Sequence, residues 1–325
     1  MSIEQQLKDE FEENTKNMVC PPSIDLRVMN VYRKQMLEKK GEQPMRRRWK
    51  WSKAVMVILL IAVVSGFAYA GRTLLFEETK GNMTMSAVTL EDVKLSKTQL
   101  ESIRLARNEV KAQLNPGESA VVYLTDLDNV KSLPFILVSQ PEVNEDLDTW
   151  RKVLTDRHFD VLPPASLLGT YRFAGGMELS PFGFYVGSET DITALMEELK
   201  AESEETGKDF TWRKTPVPTS FPLLTYTSVY RNSDQETMYL VMETAPDSTV
   251  KLQMVAPSSA KYEEMNLNGH TAHYFKKDSY IYTDSQFYQE ISWMLEKEGQ
   301  AIIYRLGSDS TAMTKEQLME AARSL

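Results

Sequence analysis

"MRRRWKWSKAVMVILLIAVVSGFAYAGRTLL", residues 45–75, decides how the rest of the chain is partitioned, because a permanent anchor and a cleaved leader put different segments in different compartments. From Ala54 to Ala70 there are 17 consecutive residues without a formal charge. A helix of that length rises about 25 Å, just short of the roughly 30 Å hydrocarbon layer of a bilayer. The flanks can supply the difference: Lys53 can snorkel, Trp49 and Trp51 lie where an aromatic belt belongs, and Leu74, Leu75 and Phe76 extend the apolar character. Arg46, Arg47, Arg48, Lys50 and Lys53 precede the run, while Arg72 and Lys80 are the basic residues just after it. That asymmetry predicts a single-pass membrane protein with a cytoplasmic N-terminus, an extracytoplasmic C-terminal portion, and Arg46, Arg47, Arg48, Trp49, Trp51 and Lys53 at the membrane interface. The competing reading is a secretory signal, since Ala68-Tyr69-Ala70 closes the apolar run as a cleavage site does and would leave a mature chain starting at Gly71.

Charge is distributed in keeping with that partition. The first 50 residues carry 11 Lys/Arg against 8 Asp/Glu, whereas residues 54–325 hold 25 against 38. An acidic body of that size lacks the clustered basic face of a nucleic-acid binder, so no nucleic-acid partner is expected. Cys20 is the one cysteine, which rules out an intramolecular disulfide and a Cys-rich zinc site.

Ahead of the apolar run, residues 1–44 are patterned as a cytoplasmic helical tail. Ile3, Leu7, Phe11 and Met18 form a narrow apolar stripe, Pro21-Pro22 breaks it, and Ser23 can cap a second helix whose apolar side includes Ile24, Val28, Val31 and Tyr32. Two short amphipathic helices bury little alone, so the tail is either a partly folded juxtamembrane segment or a docking surface centred on Leu7, Phe11, Val28 and Tyr32.

After the basic flank and span (45–71), residues 72–95 read as a stalk. Residues 96–208 read as an α+β part: a helix from Ser96 stopped by Asn115-Pro116-Gly117, strands at Ala120–Leu124 and Phe135–Val138, a helix from Leu147, strands about Gly175-Gly176, and a long acidic helix from Asp191 ended by Gly207. Residues 209–325 are β-rich. Hairpins are signalled at Asn232–Gln235, at Asn268-Gly269 and at Glu298-Gly299, and Thr314 with Gln317 forms a capping box for a terminal helix. The expected fold class is an α+β ectodomain with an antiparallel sheet and terminal helix, one transmembrane helix, and a short helical tail.

The pattern Asn268-Gly269, Trp293, Gly299 and Tyr304, followed by the tail "EQLMEAARSL" at 316–325, resembles the C-terminal domain of unknown function found in single-pass, anti-sigma-factor-like envelope proteins of Gram-positive bacteria. The resemblance covers about the last 115 residues. It implies a membrane-tethered regulator or sensor with an envelope ligand and a cytoplasmic partner such as a sigma factor. The chain departs from many such proteins in lacking a His/Cys zinc motif.

No motif argues for catalysis, and no cofactor, metal or catalytic residue is assigned. His270 and His273, three apart on an expected strand, fall on opposite faces. Asp126-Leu127-Asp128-Asn129 starts like a calcium loop, but Val130 and the missing glycine spoil it. Gly175-Gly176 lacks the third glycine and following helix of a phosphate cradle. The run Glu197–Glu205 reads as a solvated helix face, and Trp293 and Tyr304 as hairpin core. Two functions from different classes stand: a membrane-anchored regulatory or sensor protein with a partner-docking tail, and an extracytoplasmic binding module, secreted or anchored, holding an apolar envelope ligand in a half-open sheet.

Overall fold

The computed structural model describes residues 55–58 and 72–325, apart from short breaks at 91–94, 129, 131–132, 134, 160, 184–185, 187–189, 217–222, 246–247 and 258. Its first element corrects the membrane reading. Val55–Ile58 is a strand, β1, paired in parallel with Thr249–Leu252 of β11 (Thr249–Pro257). The helix expected over 54–70 therefore does not form at these four residues, and the single-pass, N-in localisation that rested on it falls. Among the described residues no helix is long and apolar enough to cross a membrane. The physical reason is that β-branched apolar residues, here Val55, Val57 and Ile58, suit a strand at least as well as a helix.

The expected stalk is also a folded element. β2 (Arg72–Lys80) and β3 (Met83–Leu90) form a hairpin, and β1, β11, β3 and β2 lie in that order in a four-stranded sheet. The turn between them needs Gly81, whose φ is +50° and whose Cβ position lies 2.6 Å from the Gly299 carbonyl oxygen. Asn82 fastens the hairpin to its neighbours: its amide donates to the Ser248 carbonyl at 2.8 Å, and its side-chain oxygen accepts from the Ala301 N–H at 3.0 Å. Met83, Met85 and Ala87 alternate into the core.

An eight-stranded antiparallel sheet forms the centre. Its order is β12 (Lys261–Leu267), β13 (His270–Lys277), β14 (Tyr288–Lys297), β15 (Gln300–Ser308), β10 (Thr237–Thr244), β9 (Leu224–Arg231), β7 (Tyr171–Met177) and β6 (Ser166–Leu167). The Asn268-Gly269 and Glu298-Gly299 turns have positive φ at both residues, the geometry that lets two-residue connections follow the strand twist. One face of the sheet, carrying Leu240, Met242, Ile291, Trp293, Tyr304 and Leu306, is covered by α2 (Leu147–Asp156) through Trp150 and Leu154 and by α4 (Lys315–Arg323) through Leu318, Ala321 and Ala322. Thr314 and Gln317 make the expected capping box of α4. The opposite face meets the four-stranded sheet at Phe275, Met294 and Ile303, and beside that an aromatic cluster of Phe182, Tyr280 and Tyr288.

A three-stranded sheet, β5 (Ile136–Gln140), β4 (Glu118–Leu124) and β8 (Phe210–Thr215), makes the third layer. α1 (Lys97–Gln113) packs Leu100, Ile103, Ala106 and Val110 on one of its faces; α3 (Ile192–Thr206) packs Leu199 on the other. The chain crosses the boundary expected at 208/209 in both directions, because β7 joins the large sheet while β8 joins β4. Fifteen strands and four α-helices are described, with all strand pairing antiparallel except β1–β11 and β11–β3. The molecule is mainly antiparallel β, not the α+β body with a membrane helix that the sequence predicts.

Candidate functional site

A polar cleft of about 450 Å³ lies where the α1–β5 layer meets the large sheet. Its α1 wall follows from the helix sequence. Ser96 caps α1 in a capping box with Gln99, which sets the helix phase and turns Arg107 onto the stripe that otherwise buries Leu100, Ile103 and Val110. A guanidinium on an apolar stripe must find partners. Arg107 Nη1 donates to the Ile281 carbonyl at 2.7 Å, and Nη2 bonds to Asp284. Burial lowers the Arg107 pKa, and Asp284 opposes the drop. One helical turn on, Lys111 points into the same cleft.

The other wall is the exposed end of the large sheet. Asp309, Thr237, Arg231 and Arg172 occupy neighbouring positions on successive strands, with Thr237 opposite Arg231 and Arg231 opposite Arg172. The Thr237 N–H donates to Asp309 Oδ1 at 3.1 Å, and the Tyr239 hydroxyl to Oδ2 at 3.5 Å. Burial raises the Asp309 pKa. Arg172 and Arg231 are directly opposed, so their side chains leave the same face, an arrangement that costs energy for like charges. Lys111 keeps an exposed side chain, yet the cleft walls desolvate its ammonium and, with Arg107 nearby, lower its pKa, Asp284 opposing the drop and Arg231 adding a smaller push; the exposure keeps the effect modest. Neither Lys111, Arg172 nor Arg231 has an ion-pair or hydrogen-bond partner for its side chain among the described residues.

A second charged constellation is shut inside the molecule. On the face of the large sheet turned toward the four-stranded sheet, Arg305 Nε and Nη2 donate to Glu290 Oε2 at 3.0 and 2.9 Å, and Lys277 Nζ donates to Oε1 at 3.1 Å. Burial pushes the Glu290 carboxyl up, but Arg305 and Lys277 outweigh it and hold the pKa at about 2. Glu243 shares Arg305 only at 3.7 Å, and its Oε2 is buried without a hydrogen bond. Burial therefore raises its pKa. Two carboxyls driven apart in this way can divide acid and base roles in an open site, but Glu243 and Glu290 are 1% and 0% exposed, and they cross-link strands.

No protein-family model, curated protein or solved structure matches this chain. Its site is read from its own residues. Leu7, Phe11, Val28, Tyr32, Arg46, Arg47, Arg48, Trp49, Trp51 and Lys53 lie outside the described residues. His270 is exposed while His273 is buried on the opposite face of β13, stacked on Phe76 with Tyr262 beside it. Among the described residues no group of three His, Cys, Asp or Glu is placed to hold a metal. Asp128 accepts from the Tyr123 hydroxyl at 2.6 Å and from Lys200 at 2.8 Å. Gly176 is where Trp150 lies across the backbone. Trp293 and Tyr304 are buried and stacked 5.4 Å apart. The cleft residues were not singled out by motif; the one available signal was an arginine, Arg107, on the apolar stripe of α1.

Proposed function

We propose that this chain is a non-catalytic binding module with a regulatory role, holding its ligand in the cleft between the α1–β5 layer and the large sheet. The observation that carries the reading is the cleft itself, about 450 Å³ and lined by Arg107, Lys111, Arg231, Thr237 and Asp309 among others, within the range of small-molecule sites. Both apolar faces of the large sheet are already covered, by α2 and α4 on one side and by the four-stranded sheet on the other. A half-open sheet filled by an apolar ligand has no such support. The sealed position of Glu243 and Glu290 favours binding over catalysis. The regulatory part of the proposal rests on the motif resemblance at Asn268, Gly269, Trp293, Gly299 and Tyr304, and on the apolar stripe of Leu7 and Phe11, which suits a protein partner such as a sigma factor.

The test is a thermal-shift screen of neutral and charged small molecules against the full chain and against Asn108→Trp, which fills the cleft from α1, where the Asn108 amide lies beside Asp284. A saturable stabiliser lost in Asn108→Trp supports the reading. If nothing in the screen binds, or every binder ignores the bulky residue, the cleft is not the site. For the partner, capture by the full chain should disappear with Leu7→Asp plus Phe11→Asp; undiminished capture would remove the docking role.

A further inference from the structure

Two cations without counter-ions, Lys111 and Arg231, line one edge of the cleft, and a third, Arg172, stands beside Arg231 outside the lining. Lys111 arrives from α1, Arg231 from the last position of β9, and Arg172 from the strand beside it. The remaining charges of the cleft are already engaged. Asp284 takes the Arg107 guanidinium and lies 3.4 Å from the Asn108 amide; Asp309 accepts from the Thr237 N–H and the Tyr239 hydroxyl. Arg107 is committed to Asp284 and to the Ile281 carbonyl. What is left over is positive, although the body of the protein is acidic.

Such a surplus is not explained by stability. Directly opposed arginines on neighbouring strands repel, and an ammonium partly stripped of water near two guanidiniums is worse placed than one in solvent. A bound anion removes both penalties. Guanidinium offers a planar fork that matches the oxygens of phosphate or carboxylate, and ammonium adds a third donor from the opposite wall. The volume also exceeds what a bare ion needs, leaving room for a polar body against Thr237, Ser139 and Tyr282.

We propose that Lys111 and Arg231, converging on this cleft beside Arg172, bind a small polar molecule through a phosphate or carboxylate group. This deepens the cleft reading given above and rests on it. The oxyanion is gripped between the α1 wall and the sheet wall, so its binding ties the two layers together.

The test uses calorimetric titration of the full chain at fixed ionic strength. One arm titrates inorganic phosphate, pyrophosphate and a sugar phosphate; a second titrates succinate and citrate; chloride serves as control. The expected result is saturable binding in at least one oxyanion arm, weakened at least tenfold by Lys111→Ala and by Arg231→Ala. Without ligand, Arg231→Ala should melt no lower than the natural chain, because it relieves repulsion; a lower melting temperature would mark Arg231 as a structural arginine and count against the site. Binding unchanged in Lys111→Ala plus Arg231→Ala overturns the proposal, as does the absence of binding in both arms. A neutral molecule blocked by Asn108→Trp but indifferent to that double substitution overturns the oxyanion assignment and leaves the cleft reading standing.

Discussion

Glu243 and Glu290 are the same residue type, on neighbouring regions of one sheet face, yet burial and partners drive them in opposite directions. Glu290 holds both Arg305 and Lys277, so Glu290→Gln leaves two buried cations with one distant carboxylate and should cost about 3–5 kcal/mol in urea unfolding. Glu243 lacks a hydrogen bond at Oε2, and Arg305 keeps Glu290 without it; Glu243→Gln should change stability by less than about 1 kcal/mol. The pH dependence has opposite signs. With its folded pKa near 2, Glu290 contributes stability that is present above the unfolded carboxylate value of about 4.3 and is lost as pH falls toward 2. A raised Glu243 contributes stability that is present below the unfolded value and is lost as pH rises through its folded pKa. Urea midpoints measured from pH 5 to pH 2 should therefore fall less steeply in Glu290→Gln than in the natural chain, and an equally steep fall would assign the acid sensitivity to other carboxylates. None of this network could be read from sequence, because period-two patterning marks which face a residue is on but not which face will be covered.

At the scale of elements, local chemistry and long-range pairing can be separated. Capping boxes at Ser96 and Thr314, the Asn268-Gly269 and Glu298-Gly299 turns, and the C-cap Gly207 sit where the sequence places them, since each depends on residues within one turn of each other. Strand β11 was missed although Val250, Leu252, Met254 and Ala256 alternate inward. It has no hairpin partner in sequence and pairs with β3, 167 positions earlier. Its other neighbour provides a sharp test. In a fragment starting at Lys53 the amides of Thr249–Leu252 should be protected from hydrogen exchange, and in one starting at Arg72, which lacks β1, those that bond to β1 should exchange faster; identical exchange would deny the pairing. The Gly176 strand position makes a second test. A methyl group there would fall 2.0 Å from the Trp150 ring, and Trp150 Nε1 donates to Ser228 at 2.8 Å, fixing the ring. Gly176→Ala should cost about 1–3 kcal/mol and shift Trp150 fluorescence, whereas an unchanged midpoint would mean that α2 yields easily.

At the scale of the whole molecule, residues 53–325 form one contact unit in which three sheets are interleaved in sequence. A fragment 53–325 should accordingly unfold in one transition by calorimetry; separate transitions for the 96–208 and 209–325 portions would show that the interleaving carries no cooperativity. The amino-acid sequence by itself determined the helices α1, α2, α3 and α4, the tight turns at Asn268-Gly269 and Glu298-Gly299 and the hairpin strands that those turns join, because these depend on neighbours a few positions away. It also determined that the body is acidic and that Arg107 sits on an apolar stripe. Only the tertiary structure decided that Val55–Ile58 is extended, that 72–90 is a hairpin within a four-stranded sheet, and that Lys111 and Arg231 share one cleft. Those outcomes depend on which distant strand supplies the missing hydrogen bonds and which layer covers the free face, and an apolar or charged residue looks the same in sequence whichever partner it meets.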